Sequence, residues 1–182
     1  MTDSDPTVCV HGLGYVGLPT AAVLANSGFE VHGFDVDTEL REQLRSKDVP
    51  LDEQDLERFL KRALDDGLQI VDSAEPADFH LICVPTPYDK NLDKTDLSSV
   101  KAATESISEV LRVGDTVVVE STVPPGTTDR RVRSIIKDAG IAVPGDVLLG
   151  YSPETVLPGN TLTELRENDR IVGTVDGASP DR

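Results

Sequence analysis

Three glycines and an acid carry the strongest chemical signal in the chain. Gly12-Leu13-Gly14-Tyr15-Val16-Gly17 follows an apolar run at 8–10 and precedes a helical pattern at 18–26. Asp35 closes a second apolar run, eighteen residues after the third glycine. A Gly-x-Gly-x-x-Gly loop alone is common, but in a strand–loop–helix–strand–acid setting it is the fingerprint of a dinucleotide site. Gly12 permits the tight turn, Gly14 lets the backbone approach a pyrophosphate, and Gly17 lets the helix pack against the strand. The helix start then offers backbone N–H groups and the positive end of its dipole to the phosphates. A carboxylate at the end of the second strand can accept hydrogen bonds from the ribose hydroxyls of NAD, whereas NADP would bring a phosphate against it. In so acidic a chain Asp35 could be one more solvated acid, but its position favours the ribose. Asp37 is expected to N-cap the helix at 38–45. Arg41 is the nearby cation that could touch the adenosine side or a 2′-phosphate. One arginine does not outweigh a carboxylate in the pocket, so the expected cofactor is NAD.

The elements that must position these residues alternate along the chain. Apolar runs at 7–11, 30–35, 68–71, 79–84, 116–120 and 147–150 read as strands. Between them, 18–26, 38–45, 53–66, 98–111 and 127–139 read as helices, with Asp52 as the expected cap of the third. Strands this apolar, separated by helices, imply an α/β fold: a Rossmann-type, doubly wound, mainly parallel sheet with helices on both faces. The expected strand order is 3-2-1-4-5-6, with the ligand outside the carboxyl ends where the order reverses. A final strand is expected within 171–175, and the whole of 1–182 is expected to form one NAD-binding domain.

The turns at the carboxyl ends of the later strands therefore hold the next candidates. Val84-Pro85-Thr86-Pro87-Tyr88 is a rigid turn that points the Thr86 hydroxyl toward the cofactor groove, although a plain proline-rich turn would look the same. Glu120-Ser121-Thr122-Val123-Pro124-Pro125-Gly126-Thr127-Thr128 places the Ser121 and Thr122 hydroxyls at a strand end, with Thr127 or Thr128 able to cap the next helix. Tyr151-Ser152-Pro153-Glu154-Thr155-Val156-Leu157-Pro158-Gly159-Asn160 holds an acid, Glu154, beside a proline on the same rim. Without precedent, Glu154 could be a surface acid.

The bulk numbers exclude some partners. With 182 residues the chain can bury a core as one domain. Its net charge of −16 and pI near 4.4 argue against nucleic acid and anionic membranes, both polyanions. Only six of its 17 basic residues are lysine, and the acids are spread along the chain. That composition suggests a halophilic protein, adapted to molar salt where the Debye length is about 3 Å; an ordinary acidic protein is the alternative. Cys9 and Cys83 lie within apolar runs with no CxxC and no partnering His or Cys at metal spacing, so both are expected as buried structural thiols and no metal site is expected. No stretch reaches membrane-span length and residues 1–6 lack a basic leader, so the protein is expected to be cytoplasmic.

Taken in order, Gly12-Leu13-Gly14-Tyr15-Val16-Gly17-Leu18-Pro19, Val84-Pro85-Thr86-Pro87, Glu120-Ser121-Thr122-Val123-Pro124-Pro125-Gly126-Thr127 and Pro153-Glu154-Thr155-Val156-Leu157-Pro158-Gly159 resemble the UDP-sugar 6-dehydrogenases. The similarity is closest to the branch that oxidises UDP-N-acetylmannosamine or related UDP-N-acetylhexosamines. It covers nearly all of this chain but about the first half of such an enzyme. The resemblance implies a role in polysaccharide biosynthesis and a four-electron oxidation of the C6 hydroxyl to the uronate with two NAD. A cysteine captures the aldehyde as a thiohemiacetal, and a second hydride transfer gives a thioester that water hydrolyses. By position, Tyr15, Val16 and Asp35 would contact the adenosine half of NAD, and Thr86 and Ser121 its ribose or nicotinamide. Thr122 matches a threonine near the reacting centre. Glu154 matches the carboxylate that assists water. Thr155, Val156 and Leu157 fall where the loop runs along the UDP-sugar substrate. The full-length enzyme is expected to be a homo-oligomer.

Two departures stand out. Thr155 occupies the place where the N-acetylhexosamine branch usually has Arg, which weakens the branch assignment or implies a different hexosamine. Leu40 stands where a basic residue is common, with Arg41 one later. The nucleophilic cysteine, the central helix and the UDP-binding domain of such enzymes are not in these residues, and Cys9 and Cys83 cannot replace that thiol from strand interiors. The chain alone is therefore expected to be inactive. The alternatives are a UDP-glucose 6-dehydrogenase, a stand-alone NAD-binding module, or the 6-phosphogluconate and 3-hydroxyacid dehydrogenases, against which the Pro153-Glu154 and Ser121-Thr122-Val123-Pro124 motifs argue.

Overall fold

The computed structural model describes residues 5–49, 54–91, 93–154 and 161–175. The expected cap Asp52 and the substrate-loop residues Thr155, Val156 and Leu157 lie outside the described residues.

Seven strands form one sheet in the order β3-β2-β1-β4-β7-β8-β9. They are β1 (Thr7–His11), β2 (Glu30–Phe34), β3 (Leu68–Ile70), β4 (Phe79–Ile82), β7 (Thr116–Val119), β8 (Leu148–Tyr151) and β9 (Gly173–Thr174). The first six pair in parallel and reproduce the expected order, reversing direction of travel between β1 and β4. β9 pairs antiparallel to β8 and closes the edge at 173–174. A two-stranded hairpin, β5 (Tyr88–Asp89) with β6 (Lys94–Thr95), comes after the proline turn and carried no sequence signal strong enough to be foreseen.

The helices are α1 (Gly17–Asn26), α2 (Thr38–Arg45), α3 (Gln54–Asp66), α4 (Ser98–Ser108), α5 and α6 (Thr161–Glu167); α5 opens as a π-helical segment (Thr127–Val132) and continues as α-helix (Arg133–Asp138). Strand residues alternate faces, so Val8 and Val10 pack with Leu18, Ala21, Leu56 and Leu60 of α1 and α3. On the other face Ile82, Val117 and Val119 pack with Val100 and Ile107 of α4 and Val132 and Ile136 of α5. Each such fully buried Val, Leu or Ile side chain contributes about 1.5–3 kcal/mol of transfer free energy. The two covered faces explain why the strands read as unbroken apolar runs.

Asp37 caps α2 as expected, its carboxylate accepting from Glu39 N at 2.9 Å and Leu40 N at 3.2 Å. The cap of α5 is a correction. Gly126 holds the N-cap position at φ 82 with no side-chain cap, and Thr127 Oγ1 donates to the Pro124 carbonyl at 2.7 Å, tightening the proline turn instead. Four strands also end one or two residues before their expected limits, at Phe34, Ile70, Ile82 and Val119. Cys83 and Glu120 are thereby set at the carboxyl edge of the sheet rather than inside strands.

Candidate functional site

A cleft of about 670 Å³ opens at the carboxyl ends of β1, β2 and β4, where the strand order reverses. The glycine loop forms one wall, Phe34, Asp35 and Val36 the second, Cys83, Val84, Pro85 and Thr86 the third, and α4 the far side through Ala102, Ala103 and Ser106. A larger hollow of about 760 Å³ lies between the β5–β6 hairpin, α4 and α5, and no residue of the glycine loop lines it.

The loop glycines are required by their surroundings. Gly12 has φ 95, and a Cβ there would lie 2.7 Å from the Cys83 carbonyl oxygen. At Gly17 a Cβ would lie 1.8 Å from the Gly12 carbonyl oxygen and 2.9 Å from Cys83 Cβ. Gly14 instead faces open space, with nothing within 4 Å of its virtual Cβ, as an approaching pyrophosphate needs. Asp35 is fixed from two sides: its Oδ2 accepts from Leu13 N at 2.7 Å and its Oδ1 from Asp37 N at 2.9 Å. Each carboxylate oxygen keeps a second acceptor site for ribose hydroxyls.

Tyr15 and Val16 line the cleft, with Tyr15 Oη within 2.8 Å of Thr161 Oγ1. Thr86 and Thr122 also line it and join its walls, because Thr86 Oγ1 donates to the Thr122 carbonyl at 2.6 Å. Ser121 does not line the cleft. Its hydroxyl turns inward and donates to the Val84 carbonyl at 2.7 Å, stitching the ends of β4 and β7 together. Arg41 is likewise drawn away from the cleft. It is buried, donates Nη1 to the Asp35 carbonyl at 2.7 Å, stacks 5.9 Å from the Phe34 ring and pairs with Asp72 at 3.4 Å. It supports the Asp35 turn from behind.

Behind the third wall lies a buried acidic network. Cys83 Sγ donates to Glu120 Oε2 at 3.2 Å, Arg170 Nη1 donates to Glu120 Oε1 at 2.9 Å, and Arg170 Nη2 donates to Glu154 Oε2 at 3.3 Å. Burial pushes the Glu120 carboxyl above its ordinary value. Burial, followed by the Glu120 charge, pushes the Cys83 thiol well above its own. Cys83 is thus a protonated donor in the cleft wall and not a thiolate nucleophile. Glu154 meets this network rather than standing as a surface acid, which places it near the β4 and β7 ends. Sequence reasoning missed Glu120 and Arg170. Glu120 had a weak signal, an acid directly after three consecutive valines; Arg170 had none.

A second buried cluster contradicts the expectation that Cys9 has no partnering histidine. Cys9 and His11 alternate along β1 onto one face, and the β1–β4 register sets His80 opposite Cys9. All three are buried, and their ligand atoms lie within 4.8 Å of one another. His11 Nε2 faces His80 Nδ1 at 3.3 Å, while His11 Nδ1 and His80 Nε2 have no hydrogen-bond partner among the described residues. An unmade buried hydrogen bond of this kind costs about 1–3 kcal/mol. Burial pushes Cys9 up to about 11, His11 down to about 3 and His80 down to about 4, so both rings are neutral near pH 7.

Comparison with known proteins agrees with this geometry. The family model for the UDP-glucose/GDP-mannose dehydrogenase family, NAD binding domain, matches residues 6–181. The UDP-N-acetyl-D-mannosamine dehydrogenase of Methanococcus aeolicus is 43% identical over 175 residues, covering 94% of this chain and 39% of that protein. The NDP-N-acetyl-D-galactosaminuronic acid dehydrogenase of Ralstonia nicotianae is 40% identical, covering 92% and 41%. Among solved structures, the UDP-N-acetyl-mannosamine dehydrogenase Cap5O of Staphylococcus aureus superposes with a TM-score of 0.87 at 36% identity, covering 92% of this chain and 41% of that one. The chain spans about two-fifths of the length of the relatives it matches. Among the described residues, no helix is long and apolar enough to cross a membrane.

Proposed function

The chain belongs to the UDP-glucose/GDP-mannose dehydrogenase family as its NAD-binding domain, and we propose that the whole protein oxidises the C6 hydroxyl of a UDP-N-acetylhexosamine to the carboxylate. The observation that carries this reading is the cleft at the β1/β4 reversal, with Asp35 held by Leu13 N–H at its mouth and Glu154 tied to its rear wall. NAD supplies the hydride acceptor when bound. The glycine loop and the start of α1 hold its pyrophosphate, Asp35 its adenosine ribose, Tyr15 and Val16 its adenosine half, and Thr86 and Thr122 its nicotinamide side. Ser121 and Arg41 act one step back, through the β4–β7 stitch and the Asp35 turn.

Glu154 is the base that assists water in the hydrolytic step. Arg170 orients it, its Nη2 donating to Glu154 Oε2 at 3.3 Å and leaving the other carboxylate oxygen to take a proton from water. Thr155, Val156 and Leu157 run along the substrate, and the nucleophilic thiol comes from the part of the protein beyond this domain. The substrate class is supported by the names of relatives, which act on N-acetylhexosamine nucleotides. Thr155, in place of the Arg usual in that branch, favours UDP-glucose as the second reading. The product serves polysaccharide synthesis in the cytoplasm, the full-length enzyme is a homo-oligomer, and the spread of acids over a chain of net charge −16 reflects adaptation to high salt.

The test is NADH release by the full-length protein with UDP-N-acetylmannosamine, UDP-N-acetylgalactosamine and UDP-glucose. We expect two NADH per uronate with an N-acetylhexosamine and none from the 182 residues alone. Preference for UDP-glucose would replace the substrate assignment. Steady turnover by the 182 residues alone would overturn the placement of the thiol.

A further inference from the structure

We propose that Cys9, His11 and His80 form a zinc site beneath the floor of the cleft. The ligand set is the first reason: one thiol and two imidazoles suit Zn²⁺ and suit neither Mg²⁺ nor Ca²⁺, which take oxygen ligands. Geometry is the second. Two nitrogens each about 2.05 Å from a tetrahedral Zn²⁺ stand about 3.3 Å apart, and His11 Nε2 and His80 Nδ1 stand at 3.3 Å. All three ligand atoms already lie within 4.8 Å of one another, so rotamer adjustment rather than refolding brings Cys9 Sγ to its bonding distance of about 2.3 Å.

The third reason is polar accounting. Neutral histidines facing each other share one hydrogen bond, which leaves His11 Nδ1 without a partner among the described residues and His80 Nε2 with at most a weak contact to the Ala77 carbonyl. With an ion between the facing nitrogens, both act as ligands and each ring's proton moves to its outer nitrogen. The Ala77 carbonyl, beside the His80 ring, is the outer-shell acceptor that such a ligand takes. The backbone holds the trio rigidly, because two ligands alternate along β1 and the third is fixed by the β1–β4 register. His11 also lines the cleft, which gives an ion a route in and leaves a fourth coordination position for water. Binding balances as Cys9 Sγ–H plus Zn²⁺ giving the Zn–thiolate, with one proton released to solvent.

The test uses the 182-residue chain after chelator treatment, titrated with Co²⁺ and followed by the sulfur-to-cobalt charge-transfer band. The expected result is one equivalent of Co²⁺ with that band, displaced by Zn²⁺, and a Zn²⁺-dependent rise in melting temperature. The band should vanish in Cys9→Ser and persist in Cys83→Ala. His80→Gln should weaken Zn²⁺ binding by about 100-fold or more, since even outer-shell changes cost 10–100-fold. Because a buried glutamine can disturb the fold, His11→Leu/His80→Leu is the second variant; it refills the site with apolar volume and should abolish binding. Surface carboxylates bind Co²⁺ without a sulfur band. Absence of the band, its survival in Cys9→Ser, or equal Zn²⁺ affinity in the leucine pair and the parent would overturn the proposal.

Discussion

Asp35 offers the sharpest perturbation of cofactor choice. A 2′-phosphate carries a charge of about −1.5 to −2, and in the ribose position it would sit next to the Asp35 carboxylate. Two unit charges 4 Å apart repel by about 1 kcal/mol in water and about 4 kcal/mol at an effective dielectric of 20. Arg41 cannot offset this at close range, because its guanidinium is committed to the Asp35 carbonyl, Phe34 and Asp72. The domain should therefore bind NAD at least tenfold more tightly than NADP, a gap of about 1.4 kcal/mol. Asp35→Asn and Asp35→Ala separate two effects. Asparagine removes the charge but keeps one carbonyl oxygen for either Leu13 N–H or Asp37 N–H, so the NAD/NADP ratio should collapse with a small loss of stability. Alanine leaves both N–H groups without their acceptor; it should also cost about 0.5–1.5 kcal/mol per bond and lower NAD affinity about tenfold. Isothermal titration with both nucleotides, paired with urea unfolding, reads both effects. Equal parental affinities for the two nucleotides, or an unchanged ratio in Asp35→Asn, would refute the role given to the carboxylate.

Salt, pH and Arg170 each give a further expected outcome. With a net charge of −16, the melting temperature should climb steeply between about 0.1 M and molar potassium chloride, and a flat profile would remove the salt-adaptation reading. His11 and His80 are held at about 3 and about 4 while the unfolded rings titrate near 6.5. Their contribution is fully present above about pH 6.5 and is lost as pH falls toward 3–4, at up to about 1.4 kcal/mol per pH unit for each ring. Urea unfolding from pH 7 to 5 should show a steeper loss in the parent than in His11→Leu/His80→Leu, and parallel slopes would contradict the burial of the two rings. Arg170→Met should destabilise the domain by about 3 kcal/mol by leaving Glu120 buried without its cation, and Arg170→Met/Glu120→Gln should recover most of that; a single variant as stable as the parent would show the pair to be idle.

The conformation of the glycine loop, the placement of Asp35 against it and the Asp37 cap were legible because they depend on local spacing, and the parallel order could be read from apolar runs separated by helices. Side-chain direction at the strand ends was less legible. Ser121 and Thr122 are neighbours with the same chemistry, yet one hydroxyl stitches β4 to β7 and the other residue lines the cleft. Which does which depends on β7 stopping at Val119, and chain ends of buried strands carry no periodic signal. Arg41 was displaced by a competing use, since a guanidinium below the turn satisfies a carbonyl and stacks on Phe34. Glu120 and Arg170 lie fifty positions apart, and no local pattern announces their pairing.

Cys9 and His80 show why register is the harder quantity. In a sheet covered on both faces, parallel strands are apolar at nearly every position, so the hydrophobic pattern does not select a pairing. Polar residues inside such strands are the exceptions that register must accommodate, and each costs free energy unless another polar group lies opposite it. The β1–β4 pairing sets Cys9 beside His80 and brings His11 within 3.3 Å of the same ring, so one register gathers three exceptions into one cluster. The acidic network does the same at the ends of β4 and β7, where Glu120 and Glu154 share Arg170 and Cys83 donates to Glu120. The first cluster lies on the two strands that flank the reversal of strand order, where the cleft opens, and the second follows the adjacent ends of β4 and β7. A core built only for stability would fill those positions with aliphatic side chains. Their polar occupants therefore mark the zone of the sheet where coordination, charge placement and cofactor contact outweigh packing.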